Sequence, residues 1–435
     1  MSFECNWSLM RRISVHIEEL GPIRNAEIEL AQLMLFTGAS NLGKSYTNFL
    51  AYYVFSIFAN NRIYKYISNK IDGRLKQNAN FDFVLKLSDL SVWMSEDVKV
   101  FFKNLLGYDN IPCVVFFNFE TDVDTYEISF LREDNSFQFK NVDLKVSSVT
   151  INGTKKLMVW DDTMASPVIS DLIASYLSIY LFGIHFAHSF LLPPGRASLL
   201  DNSYSVQRGA SRVGMYDLFL RDYDILTRKS MNEISKDADR QFFESRISKL
   251  IEGKVQTTKE GAFLILPNEN RIPLSAAASS IKELSPILFW MQNREISMDS
   301  ICIEEPEAHA HPEMQYGIAD LLVACLNKGA FMQITTHSDY FLSRLNQLIL
   351  LHRLKTTNEA AFVAYCSKYR HSNRLTLDVD NVRAYYFYRD ENNDVKIRLQ
   401  DISEGIPFDS FSSIVKRQIE VDDWLEESLK TEAND

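Results

Sequence analysis

Residues 38–45 read Gly-Ala-Ser-Asn-Leu-Gly-Lys-Ser and match the phosphate-loop pattern G-x-x-x-x-G-K-[S/T]. In such a loop the backbone N–H groups surround the phosphates of a nucleotide. Lys44 would place a positive charge on the β- and γ-phosphates, and Ser45 would place its hydroxyl on Mg²⁺. The motif predicts that the chain binds ATP together with Mg²⁺.

A second segment carries carboxylates. Residues 301–307 read Ile-Cys-Ile-Glu-Glu-Pro-Glu, an apolar strand that ends in two adjacent acids. Because the chain turns at a strand end, both acids can serve one site. Glu304 would hold Mg²⁺, directly or through water, and Glu305 would position or deprotonate the attacking water. The alternative is a pair of solvated acids at a strand end. Pairing with the phosphate loop favours a Mg-dependent ATPase.

The elements that must position these residues are visible in the local patterns. Residues 33–36 are an apolar run suited to a buried strand, and residues 46–58 are suited to a helix whose N-terminus points at the phosphates. Upstream, residues 13–17 and 26–30 alternate apolar and polar side chains on either side of a Gly-Pro turn. That alternation predicts two antiparallel strands before the phosphate loop.

Residues 304–312, Glu-Glu-Pro-Glu-Ala-His-Ala-His-Pro, resemble the acidic strand and following turn of ATP-binding-cassette (ABC) ATPases, in the branch of the SMC-like and OLD-type proteins. The family often has Asp at the position of Glu304 and usually has Leu at the position of Ala310. The resemblance implies an α/β fold, an ABC-type P-loop head in which a mixed sheet is flanked by helices.

The same resemblance assigns two further groups. His337 follows a strand at the spacing of the family's switch histidine, which contacts the γ-phosphate. Ser279 and Ser280 resemble the signature motif, a serine-rich turn that opens a helix toward the nucleotide of a partner subunit. Here Ile281 stands where the family usually has Gly, and an ordinary serine N-cap is the alternative. A homodimer or larger even assembly is implied. The residues assigned to the nucleotide are Gly38, Ala39, Ser40, Asn41, Leu42, Gly43, Lys44, Ser45, Tyr46, Ser279 and Ser280.

The positions of the motifs predict a head divided in the sequence. Residues 1–58 would form its N-terminal half and residues 266–435 its C-terminal half, with the C-terminal strands and helix. Residues 59–265 would be a compact α+β insertion, because they are too long for a loop and show no sustained heptads. Within the insertion we expect an antiparallel sheet at 113–160, helices at 212–252 and a hairpin at 254–266.

One stretch resembles a membrane span in length. Residues 172–192 contain no Asp, Glu, Lys or Arg, but they include two histidines and several serines. We expect a buried helix pair here and no membrane insertion. Arg196 follows in a Leu-Leu-Pro-Pro-Gly-Arg stretch that resembles a Pro-x-x-Arg element of the family. It would approach the nucleotide or a neighbouring subunit, and a plain surface arginine is the alternative.

The C-terminal region contains no evident second enzyme. Residues 339–354 are predicted to be a helix, and residues 361–366, 382–388 and 395–399 are predicted to be strands. Asp378 and Asp380 form a D-x-D pair that could bind Mg²⁺, but without an acidic strand of its own this pair is expected to be a turn. Any nuclease activity would therefore belong to another polypeptide.

The amino-acid composition of the chain bears on its partners and its cellular location. The 435-residue chain carries a formal charge of −11, which argues against broad affinity for nucleic acid but not against a local basic patch. Its five cysteines show no paired spacing, and no apolar stretch follows Arg11 and Arg12. We therefore expect reduced thiols, no secretory signal and a cytoplasmic location.

Length, the missing coiled coil and the phosphate loop resemble the ATPase components of bacterial anti-phage systems, the PARIS type in particular. The hypothesis is an ATPase oligomer that holds a separate nuclease-type effector and releases it when a viral trigger protein is sensed. A TOPRIM-family effector is favoured and an HNH nuclease is the second option. The alternative is an SMC- or repair-like ATPase that clamps DNA.

Overall fold

The computed structural model describes residues 12–59, 62–76, 80–139, 142–160, 165–201, 214–228, 238–409, 415 and 417–425. Cys5 and parts of the predicted helical stretch 212–252 lie outside these ranges.

The described strands are numbered in chain order. They are β1 (Arg12–Leu20), β2 (Ile23–Glu29), β3 (Leu33–Gly38), β4 (Phe81–Lys86), β5 (Cys113–Glu120), β6 (Thr125–Phe139), β7 (Val142–Ile151), β8 (Thr154–Trp160), β9 (His188–Leu192), β10 (Lys254–Thr258), β11 (Gly261–Ile265), β12 (Arg271–Pro273), β13 (Asp299–Glu304), β14 (Phe331–Thr335), β15 (Val382–Arg389) and β16 (Val395–Leu399).

The described helices are numbered in the same way. They are α1 (Lys44–Ala59), α2 (Tyr64–Lys76), α3 (Leu87–Leu106), α4 (Ala165–Phe182), α5 (Arg196–Asp201), α6 (Gly214–Thr227), α7 (Ala238–Ile251), α8 (Ser279–Asn293), α9 (Pro312–Asn327), α10 (Asp339–Thr357) and α11 (Glu359–Tyr369).

A nine-stranded mixed sheet organises the molecule, in the order β5-β1-β2-β16-β15-β3-β14-β13-β9. The strands from β15 to β9 run parallel to one another, whereas β1 pairs antiparallel with both β2 and β5. The antiparallel pair β1–β2 was predicted. Because β3, β14 and β13 are parallel, their carboxyl ends meet at one edge of the sheet, where ligands bind in open α/β folds.

The large sheet separates two hydrophobic cores. In β3, which is fully buried, Met34 and Phe36 pack into one core with α1, whereas Leu33 and Leu35 pack into the other with α8, α9 and α10. Alternate side chains of a strand point to opposite faces, so helices cover both sides of this strand. The predicted α/β class, a mixed sheet flanked by helices, is confirmed. The longest described helix is α3, with 20 residues, so this part of the chain holds no long coiled coil.

The antiparallel sheet predicted at residues 113–160 is partly wrong. Strands β6, β7 and β8 do form an antiparallel sheet, but their fourth strand is β4. Strand β5 instead pairs with β1 along its whole length, from Cys113 opposite Leu20 to Glu120 opposite Arg12. Long-range pairing of this kind leaves no local sequence signal. Two strands within residues 59–265, β5 and β9, thus belong to the large sheet, and the proposed division into head and insertion stays a prediction.

The helix pair predicted at residues 172–192 is wrong in its second half. Helix α4 ends at Phe182, and the chain then turns at Gly183, whose φ is 75°, and forms the parallel strand β9. The Ser178 hydroxyl donates to the Ile184 carbonyl and accepts from the Phe186 N–H, so it holds this turn. A buried parallel strand is apolar on both faces and therefore resembles a buried helix in sequence. Among the described helices, none combines the length and the hydropathy that a membrane span requires.

Most of the remaining predicted elements, in the C-terminal region and at the hairpin before it, match their predictions. Helix α10 covers residues 339–354, β15 and β16 cover residues 382–388 and 395–399, and β10–β11 form the hairpin predicted at 254–266. The strand predicted at residues 361–366 is wrong, because this segment lies in α11. The Asn358 side chain caps that helix by accepting from the Ala361 N–H at 3.0 Å.

Candidate nucleotide site

The phosphate loop connects the end of β3 to the start of α1, as predicted. Gly38 and Gly43 have φ values of 131° and 84°, in the region that favours glycine. A Cβ at Gly38 would also lie 2.5 Å from the carbonyl oxygen of Phe387 in β15. The loop therefore requires glycine at Gly38 both for its backbone conformation and for its close approach to the neighbouring strand.

Lys44 is held inside this loop. Its side chain is buried, and Nζ donates to the carbonyl oxygens of Gly38 at 3.0 Å and Ala39 at 2.7 Å. Burial lowers the pKa of Lys44 to about 8, and the charges of Glu304 and Glu305 oppose that shift. A buried lysine next to two carboxylates is a cation that an anionic phosphate would stabilise.

Glu304 connects the acidic strand to the phosphate-loop helix. Its carboxylate accepts from the Ser45 hydroxyl and from the Asn48 amide, each at 2.6 Å. The residue is 3% exposed, and burial raises its pKa while the hydrogen bonds from Ser45, Asn48 and Thr335 oppose the shift. The two residues predicted to hold Mg²⁺, Ser45 and Glu304, are therefore adjacent.

Asn48 is a site residue that the sequence analysis missed. It lies one helical turn after Ser45, on the same face of α1, so the helical period was the signal that could have identified it. Its Oδ1 atom is buried and has no hydrogen-bond partner among the described residues. A buried acceptor of this kind usually has a partner, so it leaves an unused oxygen next to Glu304.

Glu305 points away from Glu304. Its backbone adopts φ 46°, an uncommon conformation for a residue other than glycine, and its N–H donates to the Thr335 carbonyl at 3.1 Å. The Glu305 side chain is 44% exposed, and its Oε1 lies 3.9 Å from Nε2 of His337. The turn therefore puts one carboxylate in the interior and the other on the accessible side of the same site.

His337 follows β14, as predicted. Burial and the nearby Lys44 charge lower the pKa of His337, whereas Glu305 raises it. The neutral imidazole is therefore favoured next to Lys44, and a neutral ring can donate one hydrogen bond to a phosphate oxygen. Lys44, Glu304, Glu305 and His337 are all brought to the carboxyl edge of the central strands.

A third acid, Glu307, had no role in the sequence analysis. It is buried, and its Oε1 accepts from the Thr336 hydroxyl at 2.7 Å and from the His337 backbone N–H at 2.8 Å. Burial raises its pKa, and these hydrogen bonds oppose the shift. Glu307 thus holds the backbone of His337, and its place in the Glu-Glu-Pro-Glu motif was the available signal.

The remaining predicted loop residues lie at different depths. Ala39, Ser40 and Asn41 are exposed at the tip of the loop, and Leu42 packs in the core. The Tyr46 ring covers Gly21, where a Cβ would lie 2.3 Å from it, and packs edge-on against Phe102. The Tyr46 ring therefore contacts the β1–β2 turn, while its backbone lies in the first turn of α1.

Ser279 and Ser280 begin α8. The residue that caps this helix is Ala278, with no side-chain cap, so the alternative of an ordinary serine N-cap is wrong. Ser279 is exposed and Ser280 is half-buried. In the part of the chain that the structure describes, neither serine hydrogen-bonds to Lys44, Glu304 or His337, so the structure does not bring them into the cluster.

Two other predictions concern Arg196 and the D-x-D pair. Arg196 is completely buried, so the surface alternative is wrong, and it donates to the Glu304 carbonyl at 2.7 Å. Asp378 accepts from the Asp380 N–H at 3.1 Å within a 3₁₀ turn, as expected for a turn pair.

The described ranges contain no group of three or more His, Cys, Asp or Glu that could hold a metal ion.

The residues at the site fit magnesium. Ser45 and Glu304 offer a hydroxyl and a carboxylate, the hard oxygen ligands that Mg²⁺ prefers. Mg²⁺ in nucleotide sites commonly takes one or two protein ligands and completes its shell with phosphate oxygens and water, so a third acid is unnecessary. The unpartnered Asn48 Oδ1 adds a buried acceptor within the same cluster.

Comparison with protein families gives one match. Residues 221–342 match the family model described as an AAA ATPase domain. This stretch contains α8, the acidic strand β13 and His337, but it excludes the phosphate loop and covers less than a third of the chain. The match supports an ATPase domain in general terms. Comparison with the curated proteins finds no match.

Several solved structures resemble the chain distantly. An SMC head bound to the C-winged helix domain of ScpA has 11% identity and a TM-score of 0.37, over 90% of this chain and 98% of that chain. An SMC head domain from Thermotoga maritima has 10% identity and a TM-score of 0.33, over 90% of this chain and 100% of that chain. An Smc head domain with an extended coiled coil, bound to the C-terminal domain of ScpA and derived from Pyrococcus furiosus, has 13% identity and a TM-score of 0.38. The match covers 95% of this chain and 100% of that chain. Likeness at this level carries no argument about activity or partners.

Proposed function

We propose that the chain binds ATP and Mg²⁺ and hydrolyses the bound ATP. The observation that carries this proposal is the 2.6 Å hydrogen bond between Ser45 of the phosphate-loop helix and Glu304 of the acidic strand. The bond joins two motifs that lie far apart in sequence at the carboxyl edge of parallel strands. Phosphoryl transfer depends on positioning and charge, and this cluster can supply both.

In the proposed reaction each residue has one task. Lys44 binds the β- and γ-phosphates, and Ser45 and Glu304 hold Mg²⁺, which neutralises part of the phosphate charge. Glu305 orients a water molecule and accepts its proton as the water oxygen attacks the γ-phosphorus. The bond to the β–γ bridging oxygen breaks, which yields ADP and inorganic phosphate. His337 contacts the γ-phosphate on the side of Glu305.

The test of this proposal is nucleotide binding by Lys44→Ala. Loss of a charged contact to phosphate should weaken ATP binding by about 10- to 100-fold. Lys259→Ala, at the exposed tip of the β10–β11 hairpin, is the matched control and should bind as the wild type does. Titration calorimetry with ATP and Mg²⁺ measures both variants. Wild-type affinity in Lys44→Ala would reject the phosphate-loop assignment.

The active assembly in this proposal is a dimer or larger even oligomer. Ser279 and Ser280 begin a helix at the surface and lie outside the cluster of their own chain, so they are free to face the nucleotide of a second copy. The N-terminus of a helix favours negative charge, which suits a γ-phosphate. ATP would then lie between the phosphate loop of one copy and α8 of the other.

The biological role that we favour is in bacterial anti-phage defence, in the cytoplasm. The motifs resemble AriA, the ATPase component of the PARIS system, and the absence of a long coiled coil among the described helices suits that resemblance. The chain would hold a nuclease-type effector, TOPRIM-family or HNH, and release it on sensing a viral protein. Co-expression with the products of adjacent genes tests this role. An ATP-dependent complex with a neighbouring nuclease is expected, and a chain that stays alone would contradict it.

A further inference from the structure

Arg196 is completely buried, and burying its positive charge is unfavourable in free energy. It is the first residue of α5, separated from the end of β9 by three residues, and its side chain is 0% exposed. Burial lowers its pKa, and the charges of Glu283, Glu307, Glu304 and Glu305 oppose that shift. A guanidinium without access to water persists only if several groups accept its hydrogen bonds. Its partners therefore show which parts of the molecule it connects.

One end of the guanidinium holds the backbone of the acidic turn. Nη1 donates to the Glu304 carbonyl at 2.7 Å and to the Pro193 carbonyl at 3.3 Å, and Nη2 makes a longer contact of 3.5 Å with the Glu305 carbonyl. At this turn Glu305 adopts φ 46°. A left-handed backbone in a non-glycine residue persists when its surroundings hold it. Arg196 is therefore placed to fix the direction in which Glu305 points.

The other end holds α8. Nε donates to the Glu283 carbonyl at 2.8 Å and lies 3.3 Å from its carboxylate. The Glu283 carboxylate also accepts from the Ala197 N–H at 3.2 Å, and the residue is 2% exposed. Glu283 lies about one helical turn after Ser279 and Ser280. The guanidinium group of Arg196 thus joins the acidic turn to the first turns of α8, the helix that carries both serines.

We propose that Arg196 and Glu283 are positioning residues that couple the Glu304–Glu305 turn to the Ser279–Ser280 end of α8. The inference rests on the proposed ATPase function and deepens it. A change at the acidic turn on nucleotide binding or hydrolysis moves the carbonyl oxygens that Arg196 holds, and Arg196 passes the movement to α8 through Glu283. Neither residue touches the reacting atoms, and both act through Glu305 and the serines.

The experiment compares Arg196→Lys, Glu283→Gln and the double variant with the wild type. A lysine ammonium keeps the charge but cannot span the same set of acceptors. Glutamine keeps the shape of Glu283 and removes the charge. Each single variant should keep ATP affinity within about threefold while kcat falls about 10- to 100-fold, the size expected when catalytic groups are displaced by about 1 Å. The double variant should lose less than the product of the two single losses, because the residues form one unit.

The matched control is a surface pair with the same chemistry. Arg353 and Glu404 lie 3.1 Å apart, and their side chains are 42% and 86% exposed. Arg353→Lys and Glu404→Gln should leave kcat and affinity unchanged. If Arg196→Lys does not fold, as judged by its melting curve, Glu283→Gln decides alone.

Three results would count against a proposal. A kcat within twofold of wild type in either foldable variant would overturn the coupling. A fall in ATP affinity equal to the fall in kcat would overturn it as well, because it would indicate general damage to the site. A wild-type chain that binds ATP without turning it over would overturn the proposed ATPase function instead.

Discussion

In the proposed reaction, hydrolysis depends on Glu305. Its positive φ separates it from its neighbour, so that Glu304 contacts Ser45 in the interior while Glu305 lies 3.9 Å from the His337 ring. Glu305→Gln should bind ATP as the wild type does and hydrolyse it about 10²–10⁴-fold more slowly, the usual contribution of a positioned general base. Phosphate release under single-turnover conditions measures the rate.

The same variant tests the assembly. If ATP joins two copies, Glu305→Gln should accumulate as an ATP-bound dimer, visible by light scattering after size-exclusion chromatography. Glu313→Gln, an exposed acid in the first turn of α9, is the control and should turn over normally. Normal turnover in Glu305→Gln would move the catalytic role to another residue.

We expect Asp222 to make the stability of the folded protein depend on pH. It is 2% exposed on α6 and accepts from the Leu191 N–H at 3.0 Å. Burial raises its pKa from 3.8 to about 6, while the charge of Arg221 and the Leu191 hydrogen bond oppose the shift. Between these values the folded state holds a proton that the unfolded state has lost, so this group makes stability fall as pH rises from about 4 to 6.

Asp222→Asn keeps an acceptor for Leu191 and removes the titration. Its free energy of unfolding relative to wild type should therefore increase by about 2–3 kcal/mol between pH 4 and pH 7. Urea unfolding at a series of pH values measures the difference. Asp380→Asn removes the same charge from an exposed turn and corrects for net charge. A difference that does not change with pH would show that Asp222 titrates alike in both states.

At the scale of elements, alanine substitutions at two glycines should have opposite effects on stability. Gly253 joins α7 to β10, and a Cβ there would lie 2.5 Å from the Ile265 carbonyl oxygen in β11. Gly73 lies in α2, and a Cβ there would have open space around it, with nothing within 4 Å. Gly253→Ala should destabilise the fold by about 1–3 kcal/mol, because backbone must move. Gly73→Ala should stabilise it by up to about 1 kcal/mol, because alanine favours a helix.

Thermal unfolding of both glycine variants measures the contrast. Both add the same methyl group, so a difference in melting temperature reports the surroundings alone. Equal stability of Gly253→Ala and wild type would mean that the backbone at Gly253 and β11 can move apart without loss of stability.

The elements also show where sequence patterns succeed. The phosphate loop, α1, the hairpin at β10–β11 and the strand pair β15–β16 follow from local signals, because turn residues and periodicity act within a few positions. Strand β9 was predicted as a helix because a fully buried strand shows no alternation of apolar and polar residues. Residues 361–366 of α11 were predicted as a strand, since they include the strand-favouring Phe362, Val363 and Tyr365, and the Asn358 cap was missed.

For the whole molecule, net charge predicts how DNA affects turnover. The chain carries −11, which repels a polyanion unless basic residues are clustered. We expect duplex DNA to change the ATPase rate by less than about twofold at salt concentrations of roughly 50 to 200 mM. Phosphate release with and without DNA measures this. Strong stimulation that weakens with salt, with a slope near about −0.9 for each phosphate contact, would favour the DNA-clamp alternative.

The sequence alone was enough to predict the chemistry of the site, because phosphate binding and metal binding require particular side chains at fixed local spacing. Lys44, Ser45, Glu304 and Glu305 were predicted in this way, whereas His337 was predicted from the family resemblance. Only the tertiary structure showed that Asn48 contacts Glu304, that Glu307 holds the His337 backbone and that Arg196 joins the acidic turn to Glu283. These are contacts between distant parts of the chain, and which distant parts meet is decided by strand order and helix packing, which local spacing does not encode.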